Sequence, residues 1–388
     1  MDKHSTRIAL VRGNGMNSWE GMMWNDMGDQ FTVTGFCSQK NLFPVDDLTF
    51  PIVRLKTNTD IPVYNKISLL LSGVFQKMYG LESELKNYAI AHTVELYNYY
   101  TYQAVLAKKI HRNLKVVTTV WDNSFGRFEY EYALSMRPPA FWRKKMQKII
   151  DTNIQGVDRF VAVSEYSKEL LKDYGVPEEK IRVVIPGLVD ISEEKTSLIE
   201  KYNLAGTQFF LMVNRLKKEK GVYDVLYAWK MYVKNTIQEN PLLVIVGDGP
   251  ERDSMLRLIK EWGIEKTVRY IRQLPNQEIR NLYHDARALI LGSIPTPLWQ
   301  EQFGYVLAEA LSCGCPVIST LSGSIPEVVN DAGILCPPGS PVALVEAMRK
   351  LEDPSVMTDY RRKAAQSKVR FAQSRFQKEM SDIYSELV

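Results

Sequence analysis

Cysteine and histidine are scarce in this chain of 388 residues, with four of each. Cys37, Cys313, Cys315 and Cys336 hold one close pair, spaced Cys-x-Cys, with no second Cys or His pair at the distance a zinc site needs. That excludes zinc ribbons and fingers and leaves reduced core thiols. His4, His92, His111 and His284 show no ligand spacing either. Long hydrophobic runs are also missing: nothing approaches the roughly 20 apolar residues that span a membrane. The stretch from Met1 to Val11 enters a strand-like run without the pattern of a secretory leader, so a cytoplasmic protein is expected. A large charge excess is absent too. The formal net charge of +4 is too small for a dedicated nucleic-acid binder.

What is present is apolar material for two cores. The chain is 45% hydrophobic and longer than one core usually supports, so two domains are expected. Short aliphatic runs alternate with amphipathic stretches. Strands are predicted at residues 7–12, 31–37, 52–55, 88–94, 115–121, 159–164 and 182–185, then at 209–213, 243–246, 268–271, 288–291, 316–319 and 333–335. Helices are predicted near 65–86, 99–112, 139–155, 166–174, 222–236, 251–262, 278–285, 304–312 and 325–330, and from 342 onwards. Strands recurring with helices between them imply parallel sheets covered on both faces. The fold class is therefore α/β, with two Rossmann-like doubly wound domains facing each other across a cleft. The domains are drawn at 1–187 and 193–370, joined by the turn-rich segment 186–192.

The chemistry-bearing residues concentrate in the second half. In W-Q-E-Q-F-G-Y-V-L-A-E, Glu301 and Glu309 lie eight apart around Phe303-Gly304-Tyr305, where a helix opens. A helix start offers unbonded N–H groups and a positive dipole end, which suit a phosphate or a sugar hydroxyl. Gly304 leaves the backbone open to a ligand. In V-N-R-L-K-K-E-K-G, Arg215 and Lys220 follow a strand end, where cations neutralise a diphosphate. V-G-D-G-P-E, beginning at Val246, is a third strand-turn-helix junction. Alone, the carboxylates and cations would read as solvated surface charges; their order is what points to a site. Gly13-Asn14-Gly15 follows the first strand, but G-N-G-M-N-S places Ser18 where a dinucleotide-binding turn needs a small Gly or Ala. His92 ends the fourth strand close to Glu95, and both are expected on the ligand side.

The series V-N-R-L-x-x-E-K-G, V-G-D-G-P-E, E-x7-E enclosing F-G, and S-G-S-I-P-E-V-V resembles family 4 of the retaining GT-B glycosyltransferases, densely over residues 209–351 and loosely in the first domain. The resemblance implies a glycosyltransferase that moves a sugar from a nucleoside diphosphate sugar, UDP- or GDP-linked, to an acceptor hydroxyl in polysaccharide, glycan or glycolipid assembly. It implies that Arg215 and Lys220 bind the diphosphate and that Glu301 contacts the transferred sugar. The backbone of Phe303, Gly304 and Tyr305 holds sugar hydroxyls, Val306 lies near the phosphates, Glu309 takes the ribose, and Arg272 to Leu274 line the base. Gly13, Asn14 and Gly15 match the loop that meets the donor phosphates from the other domain. A last helix, at 374–388, crosses back to the first domain. Trp121 and Asp122 stand where many members carry a His that reaches the donor sugar, so either Asp122 takes that contact or it is lost. Gly323-Ser324 replaces a frequent Gly-Gly.

Asp-x-Asp occurs nowhere in the chain, which argues against the metal-dependent single-domain transferases. Neither an essential metal nor a cofactor is expected. Residues 137–148 carry Arg137, Arg143, Lys144, Lys145 and Lys148 with no acid, and Trp142, Met146 and Ile149 share one face. Such a helix suits peripheral contact with the inner membrane face, near lipid-linked acceptors, and equally suits a helix covering its own sheet. Two other readings share the motifs: a non-catalytic nucleotide-sugar-binding subunit, and a GT-B sugar-nucleotide epimerase.

Overall fold

A computed structural model describes residues 5–61, 75–122, 140–189, 202, 204, 208–237, 240–297 and 299–388. Two compact units result: Met1–Val189 with Gln373–Val388, and Asp190–Ala372.

In the first unit seven parallel strands form one sheet in the order β3-β2-β1-β4-β5-β6-β7. They are β1 (Thr6–Gly13), β2 (Phe31–Ser38), β3 (Ile52–Leu55), β4 (Ile90–Val94), β5 (Lys115–Val120), β6 (Arg159–Ala162) and β7 (Ile181–Val183). In the second unit β8 (Phe209–Val213), β9 (Leu242–Val246), β10 (Val268–Ile271), β11 (Ala288–Leu291), β12 (Val317–Thr320) and β13 (Gly333–Cys336) pair in the order β10-β9-β8-β11-β12-β13, again all parallel. β8 and β9 are buried at every residue, because helices cover both faces; that is why they read as unbroken apolar runs. The edge strand β10 alternates instead and exposes Arg269.

The helix Val222–Val233 shows how the sheet is covered. Its buried Val222, Val225, Leu226, Trp229 and Tyr232 recur at helical spacing, and the Trp229 and Tyr232 rings lie 6.1 and 5.6 Å from Phe210 of β8. In the first unit the corresponding core gathers Ala9, Val11, Phe36, Val116, Val120 and Phe160. The last helix, Gln373–Ser385, packs on this unit through Phe376, Met380, Ile383 and Tyr384. Its Phe376 ring stands edge-on to Trp24 at 5.0 Å, and Trp24 Nε1 donates to Tyr384 Oη at 3.0 Å.

Every strand expected from the sequence is present, its ends shifted by two residues at most. Residues 62–74 lie outside the described residues, so the helix expected near 65–86 is corrected over 75–86 alone: there Met78 bridges to Thr57, and only Leu81–Glu84 is α-helical. Gly80, left-handed at φ +86°, ends that helix on its N-terminal side. A short helix, Ser18–Gly21, capped by the Asn17 side chain on Glu20 N–H, was not anticipated.

Candidate active site

In each sheet the strand order reverses once, between β1 and β4 and between β8 and β11, which opens a crevice beyond their carboxyl ends. In the second unit that crevice holds Lys220 and Glu301. Past β8 the chain keeps to its neighbour: Asn214 N–H bonds Val246 O, and Leu216 N–H bonds Asp248 O. Gly221 then turns at φ +69°, so close to the loop after β11 that a Cβ would lie 1.8 Å from the Gly292 carbonyl oxygen. Only glycine permits this approach, which sets Lys220 beside Ser293 and Glu301.

Lys220 Nζ donates to both carboxylate oxygens of Glu301 at 2.8 Å, and Ser293 Oγ donates to Oε2 at 2.7 Å. The Lys220 ammonium also lies over the Trp299 ring, 4.7 Å from its centroid. The Glu301 side chain is only 7% exposed, that of Lys220 22%. The backbone of Glu301 is fixed from the S-G-S-I-P-E motif: Ser324 N–H bonds its carbonyl at 3.1 Å, and a Cβ on Gly323 (φ +53°) would meet that oxygen at 2.1 Å.

Gly304 caps the helix Tyr305–Ser312, and its carbonyl accepts from the Leu307 and Ala308 amides. Tyr305 and Val306 open this helix, at the positive end of its dipole. The Phe303 ring is buried against Tyr305 and Phe371, so this residue offers its backbone. Glu309 accepts from Tyr283 Oη at 3.1 Å, and burial raises its carboxyl pKa. Arg215 is exposed, with no ion pair to any described residue. Arg272 Nε donates to Asp248 of V-G-D-G at 2.7 Å, and that bond lowers the Asp248 pKa. Leu274 is buried. The expected residues of the second unit lie beyond the carboxyl ends of its strands or on the helix that follows, and Lys220 and Glu301 bond each other directly. Ser293 and Trp299 were missed as partners of that pair, because no spacing rule marks a Ser after a strand or a Trp ahead of a Glu.

The first unit's crevice is furnished differently. The register of β1 on β2 slips between Val11 and Gly13, a bulge that re-aims the buried Arg12. Arg12 Nε bonds Glu20 Oε1 at 2.8 Å, and its Nη1 bonds His92 O at 3.0 Å. Gly13-Asn14-Gly15 forms a turn whose amides are engaged: Asn14 N–H bonds Gln76 Oε1 at 3.0 Å, and Gly15 N–H bonds Arg12 O at 3.0 Å. Gln76 was not foreseen. His92, expected to face the ligand, is instead fully buried between Tyr384 Oη (2.5 Å from Nδ1) and Thr119 Oγ1 (2.7 Å from Nε2). Period-two alternation places it on the sheet face that the C-terminal helix covers. Burial, then the Arg12 charge, hold its pKa well below the ordinary range, so the ring is neutral.

Glu95, just past β4, takes a left-handed backbone (φ +64°). Its Oε1 accepts the Trp121 and Asp122 amides at 3.1 and 3.3 Å. Asp122 is buried and accepts from Tyr97 Oη at 3.0 Å. Burial first, then the neighbouring Asp122 charge, push the Glu95 carboxyl well above its usual range.

In the basic segment, Arg137 and the Trp142 side chain lie outside the described residues. Helix Ala140–Gly156 exposes Phe141, Arg143, Lys144, Lys145 and Lys148 and buries Ile149. Among the described residues no helix is long and apolar enough to cross a membrane, and no three His, Cys, Asp or Glu side chains group as a metal site.

Two family models match the chain: glycosyl transferases group 1 over residues 177–368, and glycosyltransferase family 4 over residues 29–193. O-antigen chain mannosyltransferase B of Escherichia coli is 28% identical over 255 residues, 63% of this chain and 63% of the relative, so the match spans less than two thirds of that enzyme. N-acetyl-alpha-D-glucosaminyl L-malate synthase of Bacillus anthracis is 28% identical over 289 residues, 72% of this chain and 68% of the relative. The structure of Anabaena HepE in complex with UDP-glucose superposes with a TM-score of 0.71 at 19% identity, covering 98% of this chain and 99% of HepE. At that identity the likeness is one of fold.

Proposed function

The chain belongs to family 4 of the GT-B glycosyltransferases, and on that premise we propose that it is a retaining, metal-independent enzyme using a nucleoside diphosphate sugar. The observation that carries this reading is the Lys220–Glu301 pair, half-buried at the second unit's strand reversal beside the Tyr305–Ser312 helix start. A cation, a carboxylate and first-turn amides at one sheet edge match the parts of a sugar diphosphate. Lys220 and the exposed Arg215 neutralise the phosphates. Glu301 accepts hydrogen bonds from hydroxyls of the transferred sugar, and the helix start stabilises charge as it develops on the leaving group. Glu309 and Arg272 are assigned to the ribose and the base.

In the reaction the bond between the anomeric carbon and the diphosphate oxygen breaks. A bond from the acceptor oxygen forms on the same face, and the hydroxyl proton passes to the departing phosphate oxygen. No divalent ion is required in this scheme, because protein cations carry the charge. A uridine donor is supported by HepE, which holds UDP-glucose. A sugar or lipid-linked acceptor in polysaccharide or glycolipid assembly is supported by the O-antigen mannosyltransferase. We place the protein in the cytoplasm, touching the membrane through exposed Arg143, Lys144, Lys145 and Lys148.

The test is release of nucleoside diphosphate from UDP-, GDP- and ADP-sugars, with and without a chelator, for wild type and Glu301→Ala. We expect chelator-insensitive release from one donor and a loss of about 100-fold or more in the variant. Wild-type turnover in Glu301→Ala overturns the site. Loss with chelator overturns the metal-free scheme. Nucleotide binding without release from any donor supports the non-catalytic subunit instead.

A further inference from the structure

The first unit's crevice contains a feature that donor chemistry does not use. Glu95 sits at φ +64°, a region that costs a non-glycine residue about 1 kcal/mol or more. Its conformation is held by Glu95 N–H on Thr119 O (2.8 Å) and by Thr101 Oγ1 on Glu95 O (3.1 Å). Only 8% of the residue is exposed, yet one carboxyl oxygen, Oε2, has no hydrogen-bond partner among the described residues. Buried polar atoms without partners are rare enough to need a reason, and a ligand atom is one. The same carboxyl grips the backbone of Trp121 and Asp122 through Oε1. The Trp121 ring meets the Trp19 ring edge-on, with centroids 6.1 Å apart, and Trp19 is 48% exposed. An exposed aromatic surface therefore adjoins two buried carboxyl groups.

We propose that Trp19, Glu95, Trp121 and Asp122 form a subsite for an uncharged pyranose ring of the acceptor. This deepens the transferase reading and rests on it. An aromatic surface with a few fixed polar groups takes a ring that is apolar on its faces and polar at its rim. Asp122 accepts from one ring hydroxyl. Glu95 in its neutral form donates its Oε2 proton to a neighbouring hydroxyl while Oε1 keeps both amides; burial and the Asp122 charge favour that form. A donor diphosphate does not belong here, because the nearby Arg12 charge is already paired with Glu20 at 2.8 Å and the ionisable groups of the subsite, Glu95 and Asp122, are both acids. Acceptors bearing a carboxylate or phosphate are disfavoured for the same reason. Asp122 thereby moves from the donor contact expected for its position to the acceptor.

Glutamine is the discriminating substitution. In Glu95→Gln the amide oxygen keeps the two backbone bonds and the NH2 group donates where the acid proton did. Glu95→Leu keeps the volume and loses both. Binding of methyl and octyl glucosides, galactosides and mannosides, each as both anomers, is measured by saturation-transfer NMR without any donor, so that failure of the transfer reading leaves this test intact. We expect at least one neutral pyranoside to bind, with affinity lowered about tenfold by Trp19→Ala and by Glu95→Leu and within about twofold of wild type in Glu95→Gln. With the active donor, Trp19→Ala and Glu95→Leu should raise the acceptor KM while the donor KM stays within about twofold of wild type. No pyranoside binding to wild type, equal losses in Glu95→Gln and Glu95→Leu, or a rise in donor KM instead of acceptor KM each overturns the proposal. Thermal melting confirms that each variant is folded before it is scored.

Discussion

The two sheets share the strand order 3-2-1-4-5-6, the first with one more strand, yet their reversal points are furnished in opposite ways. Between β1 and β4, Arg12, Glu20 and His92 are buried and bonded to one another or to the C-terminal helix, and the amides of Asn14 and Gly15 are engaged. Between β8 and β11, Lys220 keeps a fifth of its side chain in solvent and Arg215 is exposed. A buried charge held in an ion pair is structural, since unpairing it strands the partner; Arg12 is so held by Glu20, although its Nη2 has no partner among the described residues. A partly exposed cation can take up a phosphate while keeping its carboxylate, because part of its side chain still reaches solvent. This contrast is why the donor site is proposed in the second unit and the subsite for a neutral ring in the first.

The contrast can be broken from either side. The largest effect is expected from Gly323→Ala, where positive φ and a 2.1 Å approach to the Glu301 carbonyl leave a Cβ no room. A loss of about 2 kcal/mol or more in the second unit is expected, with release of nucleoside diphosphate abolished. Denaturant unfolding and the release assay check it, and wild-type values in both would show that Gly323 does not set the position of Glu301. Next comes Tyr384→Phe, which removes the hydroxyl shared by Trp24 Nε1 and His92 Nδ1. It should cost the first unit about 1–3 kcal/mol and leave nucleotide affinity intact. Hydrogen exchange read separately in each unit distinguishes this from a global loss.

The smallest effect is one of pH. His92 is neutral in the folded chain well below its ordinary value of 6.5, through burial and then the Arg12 charge. Below pH 6.5 the unfolded chain binds a proton that the folded chain refuses, so stability falls as pH drops from 6.5 towards the depressed folded value. Stability curves for wild type and His92→Gln should diverge in that window, the variant being flatter. Parallel curves would mean that His92 is protonated in place.

Much of this was legible in the residues. The runs F-F-L-M-V and L-L-V-I-V announce strands covered on both faces, because continuous burial removes the alternation of a one-sided sheet. Arg215, Lys220, Glu301 and Glu309 were marked by their order along the chain. Over residues 75–86 the expected continuous helix is interrupted, because periodicity alone cannot see a left-handed Gly80. His92 was misplaced because the element that covers it, the Gln373–Ser385 helix, lies nearly 300 residues away in sequence.

By itself, then, the sequence determined the elements, the two parallel sheets and the order of the site motifs, since burial pattern and turn chemistry are local properties. Only the tertiary structure decided which charges are spent and which remain available. That Lys220 holds Glu301, that Arg12 pairs with Glu20, and that one oxygen of Glu95 has no partner among the described residues depend on loops from distant strands meeting at a sheet edge. Hydrogen bonds reach about 3 Å, and no spacing along the chain specifies which groups come that close.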